Sequence, residues 1–172
     1  MCCPSFEQIK AGVAEALELF YRRDIYLVHV NAHERSLTFR LGMYLQQIFP
    51  DWHIDCEYNR NRGDVKRIPG RRVVYPDIII HKRGTTCNLL AVEAKPPCSS
   101  PDEIEKDRKK IEKYVKSPTL KYRYGLFIEF KMDFESTCAN LQWCRFADGT
   151  PQWFRNDAEP QKNLSAIGFE VK

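Results

Sequence analysis

The sequence predicts an α/β domain with a central mixed β-sheet flanked by helices on both faces. Three observations carry this. The runs Ile78-Ile79-Ile80 and Leu89-Leu90-Ala91-Val92 are apolar without alternation, as in strands covered on both sides. Segments 5–22, 32–48 and 101–116 repeat apolar residues at helical spacing. The elements follow one another as helices, three strands, a helix, a further strand and a terminal hairpin, with no internal repeat and no low-complexity linker.

Taken in order, Phe6, Ile9, Val13, Ala16, Leu17 and Phe20 make one stripe of a helix over 5–22, and a short apolar patch, Ile25 to Val28, follows it. A second helix is expected from about Ala32 to Ile48. Leu37, Leu41, Tyr44, Leu45 and Ile48 form its inner face, and Pro50 lies just past its end. Trp52 to Tyr58 alternates like a half-buried strand. Gly63, Pro69 and Gly70 then mark a loop or hairpin connection. Arg72 to His81 reads as a strand interrupted by Pro76, and Asn88 to Lys95 as another, ended by Pro96-Pro97. Ser100-Pro101-Asp102-Glu103 carries an N-cap, a first-turn proline and a capping-box glutamate, and opens a helix to about Lys116. Tyr122 to Phe130 is a strand. Asp148-Gly149 turns a hairpin between Leu141–Phe146 and Gln152–Arg155, and Ala166 to Val171 is a last candidate edge strand.

The 172 residues fit one domain, 1–172, and 43% hydrophobic with 29% charged residues is ordinary for a globular chain. No apolar run approaches the roughly 20 residues of a membrane helix, and no apolar signal core follows Met1, so a cytoplasmic protein without a membrane partner is expected. Seven scattered cysteines without a Cys-x-x-Cys pair indicate buried free thiols rather than a zinc or redox motif. The net charge of +4 is modest but unevenly placed. Residues 59–72 hold six basic side chains (Arg60, Arg62, Lys66, Arg67, Arg71 and Arg72) against one acid, which suits contact with a polyanion. The plain alternative is a solvated loop.

The residues that carry chemistry are Pro76-Asp77 and Glu93-Ala94-Lys95. Side chains two apart on a strand point the same way, so Glu93 and Lys95 project together. Asp77 comes from the preceding strand, joined by a short turn, and can sit opposite Glu93. Two carboxylates with an adjacent ammonium suit magnesium or manganese and a phosphoryl oxygen. The lysine can orient or deprotonate an attacking water, or stabilise developing charge.

This pattern, with the order of elements from about Ala32 to Phe130, resembles the PD-(D/E)xK nuclease superfamily. The resemblance implies a restriction-endonuclease-like core and Mg²⁺- or Mn²⁺-dependent cleavage of nucleic acid, DNA more readily than RNA. It implies that Asp77 and Glu93 bind the metal, that the backbone carbonyl of Ala94 completes its shell, and that Lys95 is catalytic. Similar nucleases carry a further glutamate on the helix before the sheet, for which Glu34 is the candidate, and often act as homodimers. Glu34 is equally suited to close a capping box with Asn31, and both readings stand at this point. Asp107, Lys110 and Tyr114 lie on the inner edge of the later helix, where one could approach the site. A rival expectation is a catalytically silent module of the same fold that binds nucleic acid or a protein.

Overall fold

The computed structural model describes residues 3–61, 64–66, 73–131 and 139–155. Two helices come first, α1 (Phe6–His29) and α2 (Glu34–Ile48), followed by strand β1 (His53–Cys56). A two-residue ladder, β2 (Arg60–Asn61) with β3 (Asp64–Val65), stands apart from the main sheet. Then come β4 (Ile78–His81), β5 (Asn88–Lys95), α3 (Pro101–Lys116), β6 (Tyr124–Phe130), β7 (Ala139–Ala147) and β8 (Thr150–Arg155).

The main sheet has the order β1-β4-β5-β6-β7-β8. β5 and β6 are parallel, connected by α3, and the other neighbours are antiparallel, so the sheet is mixed. Alternation along the strands sorts the core into two layers. Ile78, Ile80, Leu90, Val92, Ala94, Leu126 and Ile128 pack against α1 and α2. Ile79, Ala91 and Phe127 face the other way, onto Ile111, Tyr114 and Val115 of α3. Helices therefore cover both faces, and residues 77, 93 and 95 have the parity of the α3 face.

The α1 stripe is buried as expected, except that Phe6 is half-buried against the rings of Tyr124, Trp143 and Phe154. The helix is longer than its stripe, because the patch Ile25–Val28 is its continuation beyond a kink at Asp24 (φ −127°, ψ 15°). Arg40 Nε holds the Asp24 carboxylate at 2.9 Å, and the Tyr44 hydroxyl also donates to it, tying the kink to α2. β1 is shorter than Trp52–Tyr58, and Glu57 takes a left-handed φ of 48° just past its end. Of the expected strand Arg72–His81, Arg72 lies outside the described residues and the strand proper is Ile78–His81, just past Pro76, which has no N–H to give to a ladder. β5 matches its expected bounds, with a register shift that leaves Leu89 as the extra residue opposite Ile80/His81. The Ser100–Glu103 capping box forms as expected. Asp148 and Gly149 both have positive φ (51° and 77°), the conformation that a two-residue hairpin turn requires. The candidate strand Ala166–Val171 lies outside the described residues.

Among the described cysteines all are free, and the expectation of burial fails for most. Cys144 is buried and Cys87 half-buried, whereas Cys3, Cys56 and Cys98 are exposed. No helix among the described residues is long and apolar enough to cross a membrane.

Gly125 sets how closely α3 approaches the sheet. A Cβ placed there would lie 2.2 Å from Cγ2 of Ile111, a branched side chain with little rotamer freedom in a helix. Gly125→Ala should cost about 1–3 kcal/mol, read as a fall of several degrees in Tm by thermal unfolding. An unchanged Tm would mean that the contact between α3 and β6 is loose.

Candidate metal centre

The register of β4 and β5 pairs Ile78 with Val92, so one step further Asp77 stands across from Glu93 and Pro76 across from Ala94. Proline offers no N–H, and the Asp77 carboxylate fills the gap: the Ala94 N–H donates to its Oδ2 at 2.8 Å. This bond fixes Asp77 at the mouth of the strand pair, on the side of Glu93.

Glu93 is fully buried (0% exposed) at the head of an apolar strand. Its Oε1 accepts from the Tyr114 hydroxyl at 2.9 Å and its Oε2 from the Lys110 ammonium at 2.8 Å. Both donors come from α3. Lys110 also reaches Asp107 Oδ1 at 2.5 Å. Lys95, two residues beyond Glu93, lies between Glu34 Oε2 at 2.6 Å and Asp107 Oδ2 at 2.8 Å. Four elements thus deliver one network. The approach to Asp77 and strand β5 supply the expected acid–acid–lysine set, α2 supplies Glu34, and α3 supplies Asp107, Lys110 and Tyr114.

The structure decides the place of Glu34. The N-cap of α2 is His33, whose Nδ1 accepts from the Arg35 N–H at 3.3 Å, and Asn31 lies outside the helix with φ 48°. Glu34 opens the first turn and turns its carboxylate to Lys95 instead of closing a box. The helix accordingly starts two residues later than its pattern suggested. His81 pairs with Asp55 at 2.7 Å at the other end of β4.

Burial is the largest influence on the two central acids. It pushes the Asp77 carboxyl up to about 7 against a bond from the Ala94 N–H that favours the charged form, and the repulsive charge of Glu34 adds to the rise. Burial and the neighbouring charge of Asp77 hold Glu93 well above the usual range, and Lys110 only partly offsets them. Burial also pulls on the two amines, but their carboxylate partners outweigh it. Lys95, beside Asp107 and Glu34, and Lys110, beside Glu93 and Asp107, are both raised and stay ammonium. Burial and Glu93 raise the Tyr114 phenol, which keeps its proton for Glu93.

With all groups ionised, four carboxylates (Glu34, Asp77, Glu93, Asp107) face two ammoniums, a net of −2. The cluster also holds an incompletely satisfied atom. Asp107 is 2% exposed, and its Oδ2, though in ionic contact with Lys95, has no partner in hydrogen-bonding geometry. A divalent cation fits this set in charge and in donor type, since carboxylate oxygens are what magnesium and manganese prefer. As they stand, no three or more His, Cys, Asp or Glu side chains among the described residues are arranged to hold an ion, because the lysines are interleaved with the acids.

The basic segment is treated differently. Arg60 is exposed on β2. Lys66 is not a surface cation: it is 1% exposed, donates to the Tyr122 hydroxyl at 2.7 Å, and lies 5.4 Å and 5.2 Å from the ring centres of Tyr58 and Tyr122. Burial lowers its amine to about 8. The expectation that Lys66 grips phosphate is corrected, since its long stem packs inward against aromatic rings. Arg62, Arg67, Arg71 and Arg72 lie outside the described residues.

Sequence reasoning left Asp107, Lys110 and Tyr114 undecided among themselves, and all three join the network. The usable signal was a buried-side aspartate on an otherwise charged helix, with a lysine one turn on and a tyrosine two turns on. The chain matches no protein-family model, no curated protein and no solved structure.

Proposed function

We propose that the protein is a nuclease that hydrolyses phosphodiester bonds of nucleic acid, DNA more readily than RNA, with a divalent metal, Mg²⁺ or Mn²⁺, and a core of the restriction-endonuclease-like kind. One observation carries the reading: Asp77, Glu93 and Lys95, and Glu34 from α2, belong to one network with Asp107 and Lys110, in which four carboxyl groups share two ammoniums. Support for the class of enzyme is the resemblance of Pro76-Asp77 with Glu93-Ala94-Lys95 to the PD-(D/E)xK pattern.

In this reading Asp77 and Glu93 hold the ion, with Asp107 within reach of the same centre and the Ala94 carbonyl available beside them. The ion, when bound, supplies a water of lowered pKa and neutralises charge on the phosphate. The chain's own residues do the rest. Tyr114 fixes one oxygen of Glu93, and the Ala94 N–H fixes one oxygen of Asp77, so the two acids are oriented before substrate arrives. Lys95 is anchored by Glu34 and Asp107 and remains protonated. Its part is to orient the attacking water and stabilise charge at the phosphorus rather than to remove a proton. Arg60, with the other arginines of 59–72, supplies backbone phosphate contacts.

The experiment is incubation of the purified protein with DNA and with RNA, each with Mg²⁺ or Mn²⁺. Metal-dependent cleavage is expected, reduced by about 10²–10³-fold in Lys95→Ala and in Asp77→Asn. Cleavage undiminished in both variants ends the assignment. The interleaved lysines favour one rival, a silent module of the same fold whose acids are balanced internally. Calorimetry separates the two, because a silent module takes up no Mn²⁺ at millimolar concentration.

A further inference from the structure

The two lysines of the network differ. Lys95 bridges Glu34 and Asp107, is 15% exposed, and is flanked by acids from two helices. Lys110 sits on Glu93 Oε2 and Asp107 Oδ1, and its side chain is 35% exposed. Its partner Glu93 has one oxygen committed to Tyr114, so Lys110 occupies the oxygen that is left. Lys110 comes from a half-exposed position of α3, one turn after Asp107, on a flexible four-carbon stem.

We propose that Lys110 is a tethered counter-cation: it covers Glu93 Oε2 and Asp107 Oδ1 in the metal-free protein and withdraws to solvent when a divalent ion takes those oxygens. The inference rests on the metal-site reading above and adds a competitor built into that site. The physical reason for such a group is the cluster's excess charge. A fully buried Glu93 without a cation would either leave an uncompensated charge in the core or have to bind a proton, and the Lys110 ammonium, 2.8 Å from its Oε2, offsets that cost. A divalent ion brings two charges to the oxygens where the ammonium brings one, so it displaces Lys110 at sufficient concentration. Lys95 cannot substitute for this role, because it has no contact with Glu93 among the ion pairs it makes. The consequence is an apparent metal affinity lowered by the fraction of molecules in which Lys110 holds the site.

The test uses the full chain. Acetic anhydride labelling of the wild type, read by mass spectrometry at Lys110, should rise several-fold on addition of saturating Mn²⁺. Calorimetric titration should show Mn²⁺ binding about tenfold tighter in Lys110→Met than in the wild type, and near wild-type affinity in Lys110→Arg, which keeps the charge. Mn²⁺ binding with Lys110 labelling unchanged, or Lys110→Met no tighter than wild type, overturns the competitor and leaves the metal site standing. No Mn²⁺ uptake by either protein overturns both. If Lys110→Met does not fold, the wild-type labelling alone decides.

Discussion

Lys95→Met is expected to lower Tm by about 6–12 °C in the absence of metal, the equivalent of roughly 3 kcal/mol in a chain of this size. Among the described residues, the side chain it removes is the only ammonium in contact with Asp107 Oδ2, an atom already without a hydrogen-bonding partner. Asp107 would keep Lys110 on its other oxygen, and Glu34, the more exposed partner, would turn to water. The loss therefore falls mainly on one buried carboxylate oxygen, which is why the figure sits at the low end for a broken buried pair. The sign with pH is fixed by the direction of the amine's shift. Lys95 is raised above its ordinary 10.5, so its contribution is fully present below that value and is lost only as pH rises beyond it. The same fall in Tm should appear at pH 6 and at pH 8. Thermal unfolding that shows no difference between Lys95→Met and wild type would mean that Glu34 and Asp107 do not depend on this cation.

The layers of the fold were legible because their causes are local. Unalternating runs such as Ile78–Ile80 can only be doubly covered, and the Ser100–Glu103 box is a self-contained start signal. Asp77, Glu93 and Lys95 were legible for the same reason: strand parity and a short turn are enough to bring them together. What failed did so where a distant partner overrides the local pattern. Asp24 bends α1 without ending it because Arg40 and Tyr44, on another helix, hold its carboxylate. Asn31-Ala32-His33-Glu34 has the look of a capping box, but Lys95, 61 residues away, takes the glutamate. Lys66 sits in a run of arginines and reads as a surface cation, yet the Tyr122 hydroxyl and two aromatic rings draw it inside. In each case the deciding contact is non-local, and a window on the sequence does not contain it.

The cluster's excess of acid makes a prediction opposite in sign to that for Lys95. Replacing an acid of the pair, rather than a base, should stabilise the metal-free protein. Asp77→Asn keeps an oxygen to accept the Ala94 N–H and removes a charge that burial disfavours. The Asp77 carboxyl stands at about 7 in the fold against an ordinary 3.8, so between those values the folded state binds the proton that the unfolded chain releases. Stability then falls as pH rises through that window, and the loss is complete above about 7. The gap corresponds to roughly 4 kcal/mol at about 1.36 kcal/mol per pH unit. Other groups titrate too, and Asp55, which its partners Arg83 and His81 hold below the ordinary range despite burial, contributes with the contrary slope. The quantity to measure is therefore the difference in unfolding free energy between Asp77→Asn and wild type, by denaturant titration without metal from pH 4 to pH 8. It should be near zero at pH 4 and should grow to several kcal/mol in favour of the variant by pH 8, although the same substitution removes most of the proposed cleavage. A difference that stays flat with pH would show that Asp77 is an ordinary ionised surface carboxylate, and the electrostatic frustration from which a divalent ion would draw its affinity would then be missing.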